Sequence, residues 1–97
     1  MLFRSRAGGN VFADLGYPPP LAENLKMRSN LMSEALRLIE GMTQVQAAAL
    51  LGVSQPRISE LKRGHIDRFT VDALVNMLGE AGVRVRISLS RRRRSAA

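Results

Sequence analysis

The residues able to do chemistry crowd into one stretch, Ser54-Gln55-Pro56-Arg57-Ile58-Ser59-Glu60-Leu61-Lys62-Arg63-Gly64. An amide, two hydroxyls, three cations and a carboxylate lie within ten positions, with Gln44 eleven residues before Gln55. This is binding chemistry. It suits a partner that displays acceptors, donors and negative charge, and it offers no nucleophile beside a base.

The rest of the chain narrows the choice by what it lacks. There is no cysteine and one histidine, His65, so thiolate metal sites, disulfides and a His-based catalytic pair are not expected. Asp67 and Asp72 resemble paired carboxylates only on paper, since Asp72 suits the first turn of a helix and no ligand motif accompanies it. His65, after Gly64, reads as an exposed loop residue or a phosphate contact. No enzyme, cofactor or metal is expected. No apolar run reaches the roughly 18 residues of a membrane span, and Met1–Gly9 lacks the apolar stretch of a signal peptide, so the expected location is the cytoplasm. The formal charge is +7, but Arg4, Arg6 and Arg91–Arg94 carry six of the fifteen positive charges at the two ends. The nine others face eight acidic residues, leaving a nearly neutral middle. Whether Arg57, Lys62 and Arg63 are more than a solvated face therefore depends on the element that presents them.

At 97 residues the chain is one small domain, able to bury about two thirds of its unfolded surface, and marginal enough for a second copy to help. One Tyr, three Phe and no Trp point to an aliphatic core. Val11–Tyr17 is a short apolar patch closed by three prolines, which should bar a regular helix before them and open one after them. From about 20 to 40 the pattern is helical, with Leu25, Met32, Leu36 and Ile39 on one stripe and a possible kink at Arg28-Ser29-Asn30. Gly41, Gly52, Gly64 and Gly79 each follow an apolar helical segment, where left-handed caps are expected. Thr43 with Gln46 reads as a capping box, Ser54 as an N-cap, and Thr70 with Asp72 as another helix start. The further helices are predicted at 44–51, 55–63 and 71–79.

After Gly82 the period changes. Val83, Val85, Ile87 and Leu89 alternate with Arg84, Arg86, Ser88 and Ser90, as in a strand with one buried face. No other segment offers a clear partner strand. The expectation is antiparallel pairing with the same strand of a second copy, those four residues forming the dimer seam; pairing with the Val11–Leu15 patch is the competing reading. Arg91–Arg94 is either a flexible arm adding non-specific affinity for nucleic acid or a solubilising tail.

The stretch from Thr43 to Gly64 has the spacing of a helix-turn-helix. Ala48 is small where two helices would cross, and Gly52 supplies the positive φ of the turn four residues later. Val53, Ile58 and Leu61 would point into the core and fix the second helix. This stretch resembles the phage-repressor class of helix-turn-helix, the Cro-type or XRE family, over roughly Leu36–Leu78. Asn10-Val-Phe-Ala-Asp-Leu-Gly, the long helix, the motif, Lys62-Arg63-Gly64 and the terminal strand are together similar to the short XRE antitoxins of HigA-type toxin–antitoxin pairs, a layout shared by free-standing regulators.

The resemblance implies that the second helix enters the DNA major groove N-terminus first, with Gln55, Pro56 and Ser59 toward the bases and Glu60 one step deeper. Gln55 could then grip adenine N6 and N7, and Glu60 could accept from cytosine N4 or merely repel phosphate. Pro56 departs from the commoner Ser or Thr, leaving only an apolar contact such as a thymine methyl. Gln44 would bond a phosphate and brace Gln55. Arg57, Lys62 and Arg63 would hold the backbone, and Ser54, the cap of the helix, would belong to the same DNA-binding surface. The expected architecture is mainly α, a lambda-repressor-like bundle of four to five helices with a C-terminal β-strand paired across a dimer. Its parts would be a disordered tail at 1–10, the DNA-binding domain at 11–82, a dimerisation strand at 83–90 and a basic disordered tail at 91–97. The expected function is a homodimeric repressor on a near-palindromic operator, acting as an antitoxin with a toxin partner. A stand-alone XRE or phage-type regulator, and an interaction adaptor that does not bind DNA, are the alternatives.

Overall fold

The computed structural model describes residues 9–91. They form five α-helices: α1 (Val11–Asp14), α2 (Pro19–Leu38), α3 (Gln44–Leu51), α4 (Gln55–Lys62) and α5 (Val71–Glu80), with a 3-10 turn at Ile66–Arg68 before α5. Among the described residues no helix is long and apolar enough to cross a membrane.

Each start has a local cause. Thr43 accepts from the Gln46 N–H at 3.1 Å while the Gln46 side chain accepts from the Thr43 N–H at 3.1 Å, the reciprocal capping box. Ser54 and Thr70 cap α4 and α5 by accepting from the N–H groups of Arg57 and Ala73. Pro19 and Pro20 open α2, where a missing N–H costs nothing. That helix runs unbroken through Arg28-Ser29-Asn30.

Helix α1 runs against the expectation for the segment before the prolines. Asn10 accepts from the N–H groups of Phe12 and Ala13 and donates from Nδ2 to the Ala22 carbonyl at 3.0 Å, pinning α1 to α2. The prolines forbid helix only for their immediate neighbours, and α1 has already ended at Leu15.

The core joins Met32, Ala35 and Ile39 from the α2 side to Ala47 and Leu51 of α3, Ile58 and Leu61 of α4, and Leu74, Met77 and Leu78 of α5, around Phe69. Phe69 is fully buried, so the core is centred on an aromatic ring and is not wholly aliphatic. A smaller cluster of Phe12, Ala22 and Leu25 seals α1 onto α2, with Phe12 edge-on to Tyr17. Leu36, expected in the buried stripe of α2, is half-buried. Ala35 is buried at that turn, and Ser29 joins the stripe at helical spacing from Leu25 and Met32.

Two expectations fail near the C-terminus. Gly79 is an ordinary residue inside α5, and the left-handed glycine is Gly82, with φ +83°. Among the described residues there is no β-strand, so the C-terminal strand at Val83–Ser90 is not formed. A single strand has no ladder partner within one chain, and Val11–Asp14, the alternative partner, is helical. Val83 and Val85 instead pack half-buried on the core, while Ile87 and Leu89 are exposed. Residues 1–8 and 92–97, which include Arg92–Arg94 and most of both expected tails, lie outside the described residues.

Candidate nucleic-acid interface

The two helices of the motif are joined by three residues, Gly52-Val53-Ser54. Gly52 turns the chain at φ +68°, and the Ala48 carbonyl accepts from the N–H groups of both Gly52 and Val53. Ala47, not Ala48, is the fully buried small residue of α3; Ala48 is half-buried. Val53 is half-buried, and Ile58 and Leu61 are fully buried, anchoring α4 from beneath.

With Ile58 and Leu61 inward and about 100° between successive residues, Pro56, Ser59 and Arg63 turn outward. Gln55 and Lys62 then take one flank and Arg57 the other, with Glu60 between Arg57 and the outward face. Exposure agrees: Gln55, Pro56, Lys62 and Arg63 are exposed and Ser59 is half-buried. Gln44 and the cap Ser54 are also exposed. No hydrogen bond joins Gln44 to Gln55 among the described residues, so the expected brace is not made here. At its far end α4 closes on Gly64, with the His65 N–H donating to the Glu60 carbonyl at 3.2 Å and the Gly64 N–H to the Leu61 carbonyl at 3.0 Å. His65 itself is exposed.

Arg57 and Glu60 are placed differently from their neighbours. The Arg57 guanidinium lies over the Phe69 ring at 4.1 Å, donates to the Arg68 carbonyl at 2.9 Å, and pairs with Glu60 Oε1 at 3.1 Å. The other oxygen of Glu60 accepts from Arg68 at 3.1 Å. Sequence reasoning missed Arg68 and Phe69. Both lie beyond the motif, and their contacts to α4 cross a turn that no helical period spans. The hint was Phe69 itself, an aromatic residue just before the α5 cap.

A family model described as a helix-turn-helix domain matches residues 11–90, the five helices and the segment after them. The chain belongs to the helix-turn-helix domain family. No curated protein matches it significantly. Membership supports a DNA-binding regulator, and the exposed face of α4 is where such a domain would meet a duplex.

Proposed function

We propose that the chain is a sequence-specific transcriptional repressor, with α4 as its recognition helix. One observation carries this reading: α4 is held from below by Ile58 and Leu61 while Pro56, Ser59 and Arg63 are left on its outward side, with Gln55 exposed on the adjoining flank. A polar, basic helix face with an amide at its N-terminal end matches the major groove in size and in donor–acceptor chemistry. Gln55 is the base reader, Pro56 and Ser59 its neighbours on the base edges, and Gln44, Lys62 and Arg63 the phosphate contacts. Arg57 supports the helix from its flank.

The reading extends to a homodimer. One recognition helix spans only a few base pairs, and two half-sites one turn apart need two copies. The segment 83–90 is the proposed contact. It leaves Ile87 53% and Leu89 91% exposed, beside Val83 and Val85 on the core. A second copy covering Ile87 and Leu89 would remove this apolar surface from water. The division into a DNA-binding part at 11–82 and a contact segment at 83–90 belongs to the same proposal, as does a cytoplasmic location.

The biological setting proposed is that of a HigA-type antitoxin within the XRE family, repressing its own operon and binding a toxin. Its support is the resemblance in layout. It predicts that the adjacent reading frame encodes a protein whose toxicity this chain relieves on co-expression; a harmless neighbour would favour a stand-alone regulator. The DNA reading is tested by selecting bound duplexes from a randomised pool. Enriched sequences should carry two related half-sites centred about 10 bp apart. A bound pool no different from the input would contradict it.

A further inference from the structure

The carboxylate of Glu60 is the one negative charge on a helix face meant to meet a polyanion. It is directed at two arginines and not left open to solvent. One oxygen takes Arg57 at 3.1 Å and the other takes Arg68 at 3.1 Å, and the Glu60 side chain is 23% exposed between them. The two cations are held unequally. Arg57 also has the Phe69 ring and the Arg68 carbonyl, so it would stay in place without Glu60. Arg68 has only Glu60 for its side chain among the described residues, and it is 62% exposed.

We propose that Glu60 limits the sequence-independent part of DNA affinity by restraint: it holds the Arg68 guanidinium against the protein, away from the phosphates. This rests on the reading of α4 as a DNA-recognition helix. Phosphate contacts strengthen binding to every sequence alike, whereas base contacts favour one. A cation engaged in cis adds little to the non-specific term. The middle of the chain is nearly neutral, so one restrained arginine is a large share of the charge available to α4.

The test uses Glu60→Gln, which keeps an acceptor for Arg57 while removing the charge that holds Arg68. Affinity for random duplex should rise, and its dependence on salt should steepen by about one phosphate contact. The gain over wild type should shrink about threefold between roughly 50 and 200 mM salt. Affinity for the selected site should rise by a similar factor, so the ratio of the two affinities should stay at its wild-type value. The double variant E60Q/R68Q should return the slope to that of wild type, assigning the released charge to Arg68. A slope unchanged in E60Q would overturn the proposal. So would equal losses on both duplexes at every salt, the mark of a merely structural residue. A loss confined to the selected site would make Glu60 a base reader and also overturn it. Wild-type protein that binds no duplex at any salt would overturn the DNA reading itself, which is a separate result.

Discussion

The Arg57 guanidinium sits 4.1 Å from the centre of the Phe69 ring, tying the flank of the exposed helix α4 to the centre of the core. A cation over a ring whose other contacts are buried is partly shielded from water, which strengthens the attraction. Arg57→Ala removes this contact, the Glu60 pair and the bond to the Arg68 carbonyl together. The expected loss is about 1–2 kcal/mol of folding stability. Urea denaturation followed by circular dichroism should show a lower midpoint with an unchanged slope, and an unchanged midpoint would make the stack incidental.

Two glycines should respond to alanine with opposite signs. Gly52 holds φ +68°, and a Cβ there would come within 3.0 Å of the Glu80 side chain. That side chain is exposed and can move, so the backbone dominates, and Gly52→Ala should cost about 1–2 kcal/mol. Gly79 lies inside α5 with open space where its Cβ would be. Gly79→Ala should stabilise by about 0.5–1 kcal/mol, because alanine loses less backbone freedom in a helix. Thermal melts of the two variants check both signs, and a destabilised Gly79→Ala would restore the glycine to a capping role.

These positions mark how far the sequence could be read. Thr43 with Gln46, Ser54 and Thr70 announce their helices because a cap is decided within four residues. Gly41, Gly52 and Gly64 were legible for the same reason. The relation of Arg57 to Phe69 was not, since it joins residues across a loop and no local pattern encodes it. The short helix at Val11–Asp14 depends on Asn10 reaching Ala22, again a contact at a distance. The alternation from Val83 to Leu89 holds as a buried face only at Val83 and Val85, since a pattern of period two needs a neighbour before it becomes a strand.

The segment 83–90 gives the prediction for assembly. Replacing Ile87 and Leu89 together by Asp leaves the core untouched, because both are exposed. Wild-type chain should sediment as a dimer and the variant as a folded monomer. Each apolar side chain buried in the contact is worth about 1.5–3 kcal/mol. A variant that stayed dimeric would move the interface elsewhere.

The claim that α4 reads sequence is tested most directly by equilibrium binding of Gln55→Ala and Arg63→Ala to a selected site and to random duplex. Gln55→Ala should lose about 1–3 kcal/mol on the selected site only, relaxing preference at one base pair per half-site. Arg63→Ala should weaken both duplexes by a similar factor and flatten the salt slope by about one contact. Gln55→Ala that bound the selected site as tightly as wild type, with its preference intact, would contradict the assignment of that helix face to base reading.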